Sequence, residues 1–139
     1  MLQRRQTLWM FCAAVCAVLT FRFSFFSGHR ADPGKGTILD FLTAASTPWL
    51  LIVGVVIALG VLVDIFLYKN RSRQTLITIG LIILSLVNIL LYWFAHKNYV
   101  DGTFSLSALL ALAIPVFLIL ACRGIIKDQK LVKSVDRLR

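Results

Sequence analysis

Apolar residues in this chain do not alternate with polar ones; they come in long runs. Residues 7–21, 47–68, 76–94 and 106–126 form four stretches almost free of charge, each close to the roughly 17–25 residues a helix needs to cross about 30 Å of hydrocarbon. In lipid every backbone N–H and C=O must be satisfied within the structure, so runs of this length predict helices. The pattern therefore predicts an all-α membrane protein, a single four-helix transmembrane domain over residues 1–139.

The connections are short. Residues 27–46 form the longest, opened by Gly28-His29-Arg30-Ala31-Asp32-Pro33-Gly34-Lys35-Gly36, residue types that punctuate turns. The stretch 37–45 (TILDFLTAA) reads as a short amphipathic helix on the outer surface before Pro48 opens the second run, where proline costs little. Residues 69–74, Lys-Asn-Arg-Ser-Arg-Gln, make a tight basic turn that sets the second and third spans as an antiparallel hairpin. Tyr92 and Trp93 read as an outer interfacial belt, as do Phe21, Phe23, Phe25 and Phe26. After the fourth run comes the tail, residues 127–139. Leu131, Val135 and Leu138 recur there at i, i+4 and i+7, with Lys130, Lys133 and Arg137 elsewhere around the helix. A basic amphipathic helix of this kind suits an anionic membrane surface or a groove on a partner. The two halves share no pattern, which gives no support to an inverted-repeat transporter.

Charge gives the orientation. The N-terminus, the middle turn and the tail hold eleven of the fifteen Lys and Arg against Asp64, Asp128 and Asp136, a net of +8. Arg22, Arg30, Lys35 and Lys97 face Asp32, Asp40 and Asp101 on the other side, a net of +1. This asymmetry predicts both termini in the cytoplasm, facing an anionic inner leaflet. It also accounts for the net charge of +9 without nucleic acid, for which no groove or aromatic platform is visible. With 59% hydrophobic residues in 139, no separate soluble domain fits. Arg4 and Arg5 before an apolar stretch resemble a secretion signal, but Phe25 and Phe26 stand where small residues are expected, and the span reads as retained.

Candidate chemistry is sparse. Asp64 lies about one turn inside the cytoplasmic end of the second span, where an unpaired carboxylate costs a few kcal/mol. Arg123, at similar depth on the fourth span, is its expected partner; the alternatives are a proton- or cation-carrying carboxylate and a shallow carboxylate that reaches water. Asn88 must hydrogen-bond within the third span's surroundings and is expected to hold helices together. Pro115 is expected to kink the fourth helix. Gly54 with Ala58, Ala13 with Ala17 and Ser107 with Ala111 are small pairs expected to serve packing within the monomer. Cys12, Cys16 and Cys122 read as packing residues, and His29 and His96 as solvated loop residues rather than metal ligands. No catalytic triad, phosphate-binding loop or HExxH motif occurs, so neither enzyme nor cofactor is expected.

The ends of the chain carry a resemblance. The opening Met1-Leu2-Gln3-Arg4-Arg5-Gln6-Thr7 and the close Lys130-Leu131-Val132-Lys133-Ser134-Val135-Asp136-Arg137-Leu138-Arg139 resemble a family of small four-span membrane proteins of Bacteroidota, catalogued only as a domain of unknown function. Its members look like M-[I/L]-Q-R-x-Q-[S/T] at the start and K-L-V-[R/K]-S-x-D-R-L-[R/I] at the end; Arg5 departs from the aliphatic residue expected there. The resemblance implies a bacterial inner-membrane location and supplies no activity. It places Gln3, Arg4, Gln6, Ser134, Asp136, Arg137 and Leu138 on the cytoplasmic face, with Lys130 and Lys133 beside them. A defined order of Ser, Asp, Arg and Leu suits contact with a folded surface better than with lipid. The expectation is a non-enzymatic accessory or stabilising subunit, docked beside other integral membrane subunits of a larger assembly. Protein export or envelope biogenesis is a fitting host. The alternative is a small oligomeric transporter or channel using Asp64 and Asn88.

Overall fold

The computed structural model describes residues 2–32, 36–67, 70–97 and 99–136. Among these there are four helices and three strands, in the order α1 (Leu2–Leu19), β1 (Phe26–Asp32), β2 (Gly36–Leu42), α2 (Pro48–Phe66), α3 (Arg71–His96), β3 (Tyr99–Phe104) and α4 (Ala108–Asp136). The protein is mostly helical, and α2, α3 and α4 are each long and apolar enough to cross a membrane. The apolar part of α1, Gln6–Leu19, is shorter.

The helices form a closed ring in which each packs on its two neighbours: α1 on α2, α2 on α3, α3 on α4, and α4 most extensively on α1. The buried positions explain why. They recur as Gln6, Met10, Ala13, Ala17 and Thr20 at α1, and Leu50, Gly54, Ile57, Val61 and Asp64 on α2. On α3 they are Gln74, Thr78, Leu81, Ser85, Asn88 and Tyr92, and on α4 Ala111, Ile114, Leu118, Ala121, Ile125 and Asp128. Each series steps by threes and fours, the 3.5-residue seam along which helices interlock. Ala13, Ala17 and Ala121 let α1 and α4 approach closely, and a Cβ on Gly54 would press on the Phe21 ring at 3.0 Å. The small pairs thus contribute to packing inside the monomer.

The exterior is as informative as the core. Trp49, Leu59, Phe66, Leu76, Ile83, Leu90, Leu106 and Leu109 are each more than half exposed, while Asp64, Thr78, Ser85 and Asn88 are buried. Water would not tolerate so much contiguous apolar surface on a monomer. Lipid does, because in it side chains gain little by hiding.

A three-stranded antiparallel sheet covers one end, in the order β2-β1-β3. This corrects the sequence expectation for residues 27–46: 37–45 is not a surface helix, since 36–42 is strand β2. Asp32 pairs with Gly36 and Phe26 with Leu42, so β1 and β2 run antiparallel over their whole length. On the other side Phe26 faces Phe104 and Gly28 faces Gly102, with one extra residue on β3 where the register shifts between His29 and Arg30. A Cβ on Gly102 would run into the Ser27 carbonyl and the Gly28 Cα, so glycine permits this strand pair. Thr37, Ile38, Phe41 and Leu42 fit either a short helix or a strand, and pairing with residues distant in sequence decides for the strand.

Among the described residues the tail forms no separate helix. The α4 helix runs unbroken past Pro115 to Asp136.

Candidate functional site

Charge placed the basic turn and the two termini together, and the fold brings a layer of buried polar side chains to that same end. Each helix contributes through the last polar position of its seam. Gln6 of α1 donates from Nε2 to Asp128 Oδ2 of α4 at 2.8 Å, across 122 residues of sequence. Gly124 makes that reach possible, because a Cβ there would stand 2.7 Å from Gln6 Cγ. Gln129 Nε2 donates to Thr75 Oγ1 at 2.9 Å, joining α4 to α3.

Asp64 sits at the centre of this layer and is 0% exposed. The Thr78 hydroxyl stands 2.6 Å from Asp64 Oδ2 and 2.9 Å from the Gln74 carbonyl. Gln74 Nε2 donates to the Asp64 backbone carbonyl at 3.2 Å and points its second contact, at 3.7 Å, to Met10 Sδ on α1. Asp64 Oδ1 is buried without a hydrogen-bond partner. Cys122 of α4 lies within Coulombic reach of Asp64. The expected Asp64–Arg123 pair does not form. Arg123 is exposed, one position off the inward series that runs through Ala121, Cys122 and Ile125, so its side chain leaves the bundle.

The α3 seam continues the polar character upward. From Gln74 to Asn88 its inward positions are polar except Leu81, over about 21 Å of helix at 1.5 Å per residue. Ser85 Oγ donates to the Ile82 carbonyl at 2.7 Å. Asn88 is buried as expected, but its Oδ1 finds no partner.

At the sheet end the groups are aromatic. Phe25 stacks on Tyr92 with ring centroids 4.5 Å apart, so Tyr92 is a core residue and not an interfacial marker. Phe26 meets Phe104, His96 and Tyr99 edge-on at 5.2, 5.6 and 5.7 Å. His96 lies among these rings with Nδ1 2.6 Å from the Trp93 carbonyl, and His29 stands in β1 opposite Asp101. Both histidines were expected in loops, and both stand instead in regular elements, His29 in β1 and His96 at the end of α3. Among the described residues no group of three or more His, Cys, Asp or Glu is arranged to hold a metal.

The profile of the family described as Domain of unknown function (DUF4293) matches residues 2–138. The chain belongs to this family. No curated protein and no solved structure matches it.

Of the cytoplasmic-face residues singled out in the sequence, Gln6 is buried and bonded, and Lys130 is exposed on α4. The side chains of Gln3, Arg4, Lys133, Ser134 and Asp136 lie outside the described residues, as do Arg137 and Leu138 altogether. Sequence reasoning placed Gln6 on a surface and passed over Gln74, Thr78 and Asp128. Their spacing carried the signal: polar residues at 74, 78, 85 and 88 mark the inward side of a helix that is otherwise apolar from Leu76 to Phe94.

Proposed function

We propose that this chain is a four-span, non-enzymatic accessory subunit of a larger assembly in the bacterial inner membrane, with both termini cytoplasmic. The observation that carries the reading is the length of α4. Its 29 residues reach about 43 Å, against about 28 Å for the 19 residues of α2. Past Gln129, which still bonds Thr75 of α3, the helix continues as an arm to Asp136, with Lys130, Leu131 and Val132 exposed. An arm rigidly joined to a membrane-embedded helix suits a contact with a partner's cytoplasmic surface. The exposed Arg73, Arg123 and Lys127 at this end suit the anionic leaflet. The α1 helix completes the bundle as a fourth span, since Gln6 meets α4 at one end and Phe21 reaches Gly54 at the other.

The test is brief in-cell crosslinking of the tagged protein, gentle extraction and quantitative mass spectrometry, beside a chain lacking residues 130–139. A stoichiometric membrane-protein partner that disappears with the tail, and with Asp136→Ala plus Arg137→Ala, is the expected result. Recovery of the protein alone from native membranes removes the reading.

The α3 polar seam favours a second reading, an oligomeric transporter or channel around Asp64 and Asn88. Proton-coupled flux in reconstituted vesicles that falls with Asp64→Asn would support it; unchanged flux would remove it.

A further inference from the structure

We propose that Asp64 is a proton-binding site in the bundle interior, held as a neutral carboxylic acid that donates its hydrogen to the Thr78 hydroxyl. The inference goes beyond both functional readings, because a proton can be held here without being carried across the membrane.

Counting hydrogens carries the argument. Thr78 Oγ1 makes two short contacts, 2.6 Å to Asp64 Oδ2 and 2.9 Å to the Gln74 carbonyl. Both distances are those of hydrogen bonds, yet a hydroxyl has one hydrogen to give. With Asp64 ionised, both neighbours of Thr78 Oγ1 are acceptors and one hydroxyl hydrogen must serve two contacts. With Asp64 as an acid each contact has its own hydrogen: Thr78 gives its own to the Gln74 carbonyl and accepts that of the carboxyl.

The surroundings agree. Asp64 is 0% exposed and its Oδ1 has no donor. Ionised, it would hold a full charge against one hydroxyl, with one oxygen bare; as an acid it leaves only a carbonyl oxygen unpaired, a far smaller penalty. The described side chains packed at this layer supply no counter-charge. From α3 come Gln74 and Thr78, both uncharged, while Arg73 is exposed. From α4 come Cys122 and, further along, Asp128 bonded to Gln6, while Arg123 is exposed. From α1 come Gln6 and Met10. Among the described side chains no Lys, Arg or His bonds Asp64; those of Arg4, Arg5, Lys69 and Arg71 lie outside them. The proton exchanges with the basic side, because Asp64 stands within a turn of the end of α2 at Phe66.

Infrared difference spectroscopy on the full-length protein in lipid nanodiscs tests this. A free aspartate is ionised at neutral pH, so a protonated-carboxyl band there is diagnostic. The expected result is such a band at neutral pH that shifts in heavy water, vanishes entirely in Asp64→Asn and persists in Asp128→Asn. Should Asp64→Asn fail to fold, Thr78→Val keeps the carboxyl and removes its acceptor, and a shift of the band is expected. No protonated-carboxyl band in the wild type overturns the proposal, as does a band that Thr78→Val leaves unmoved. A carboxylate signal that responds to sodium but not to choline overturns it in favour of a metal cation.

Discussion

At the end where α1 begins and α4 finishes, the four helices are joined by side-chain pairs, Gln6 to Asp128, Thr78 to Asp64 and Gln129 to Thr75. At the opposite end the same connections are made by backbone. The β1 strand pairs with β2 and β3, Phe25 N–H donates to the Leu42 carbonyl at 2.6 Å, and Ala44 N–H donates to the Thr20 carbonyl at 3.2 Å. Backbone bonds are available to any sequence, so the sheet end depends on shape: flat rings, and glycine where strands crowd. Side-chain bonds depend on identity, so the polar end depends on which residue stands at each inward position.

Substitutions sharpen this contrast. Tyr92→Ala removes the ring stacked on Phe25 from the core, and a loss of about 3 kcal/mol is expected, read as thermal stability in detergent or nanodiscs. Gly102→Val forces a side chain into the Ser27 carbonyl and Gly28; a loss of about 2 kcal/mol is expected, with faster proteolysis at residues 26–42 as the local readout. At the polar end Gln6→Leu takes a donor from Asp128, for about 1 kcal/mol. Gly124→Ala should cost less once Gln6 is Ala, which has no Cγ to meet the new methyl, so a double-mutant cycle of Gln6→Ala and Gly124→Ala is expected to be non-additive. Smallest of all is Arg123→Ala, whose exposed side chain has no part in the Asp64 layer; a change within about 0.5 kcal/mol is expected. A loss near that of Gln6→Leu would restore the Asp64–Arg123 pair and break the comparison.

Hydropathy made the spans legible, since α2 matches the apolar run at 47–68 and α3 and α4 hold nearly all of those at 76–94 and 106–126, although α3 begins earlier and α4 runs on to Asp136. It concealed the phase of each helix, because a membrane helix is apolar on all sides and only its polar residues report which side faces inward. Arg123 was misassigned for that reason: depth matched Asp64, but phase did not. The sheet was illegible for a different reason. The β1 sequence FSGHRAD has little strand character of its own, and it becomes a central strand only because β2 and β3 supply partners on both edges. Asp64 itself was conspicuous in the sequence; its partner Thr78 was not, since a threonine in an apolar helix attracts no notice until a carboxyl is set against it.

The extensive contact between α1 and α4 has a consequence for how the chain is made. Ribosomes add about 5–20 residues per second, and Gln6 precedes Asp128 by 122 residues. The first helix therefore waits on the order of ten seconds before its main neighbour exists, without the Asp128 oxygen that the Gln6 amide meets in the finished fold. During that interval β1 has β2 beside it but not β3, which is synthesised only after α3. The bundle can thus close only once the last helix has entered. A nascent chain stalled before α4 presents the insertion machinery with an α1 still open to any other helix that offers an acceptor.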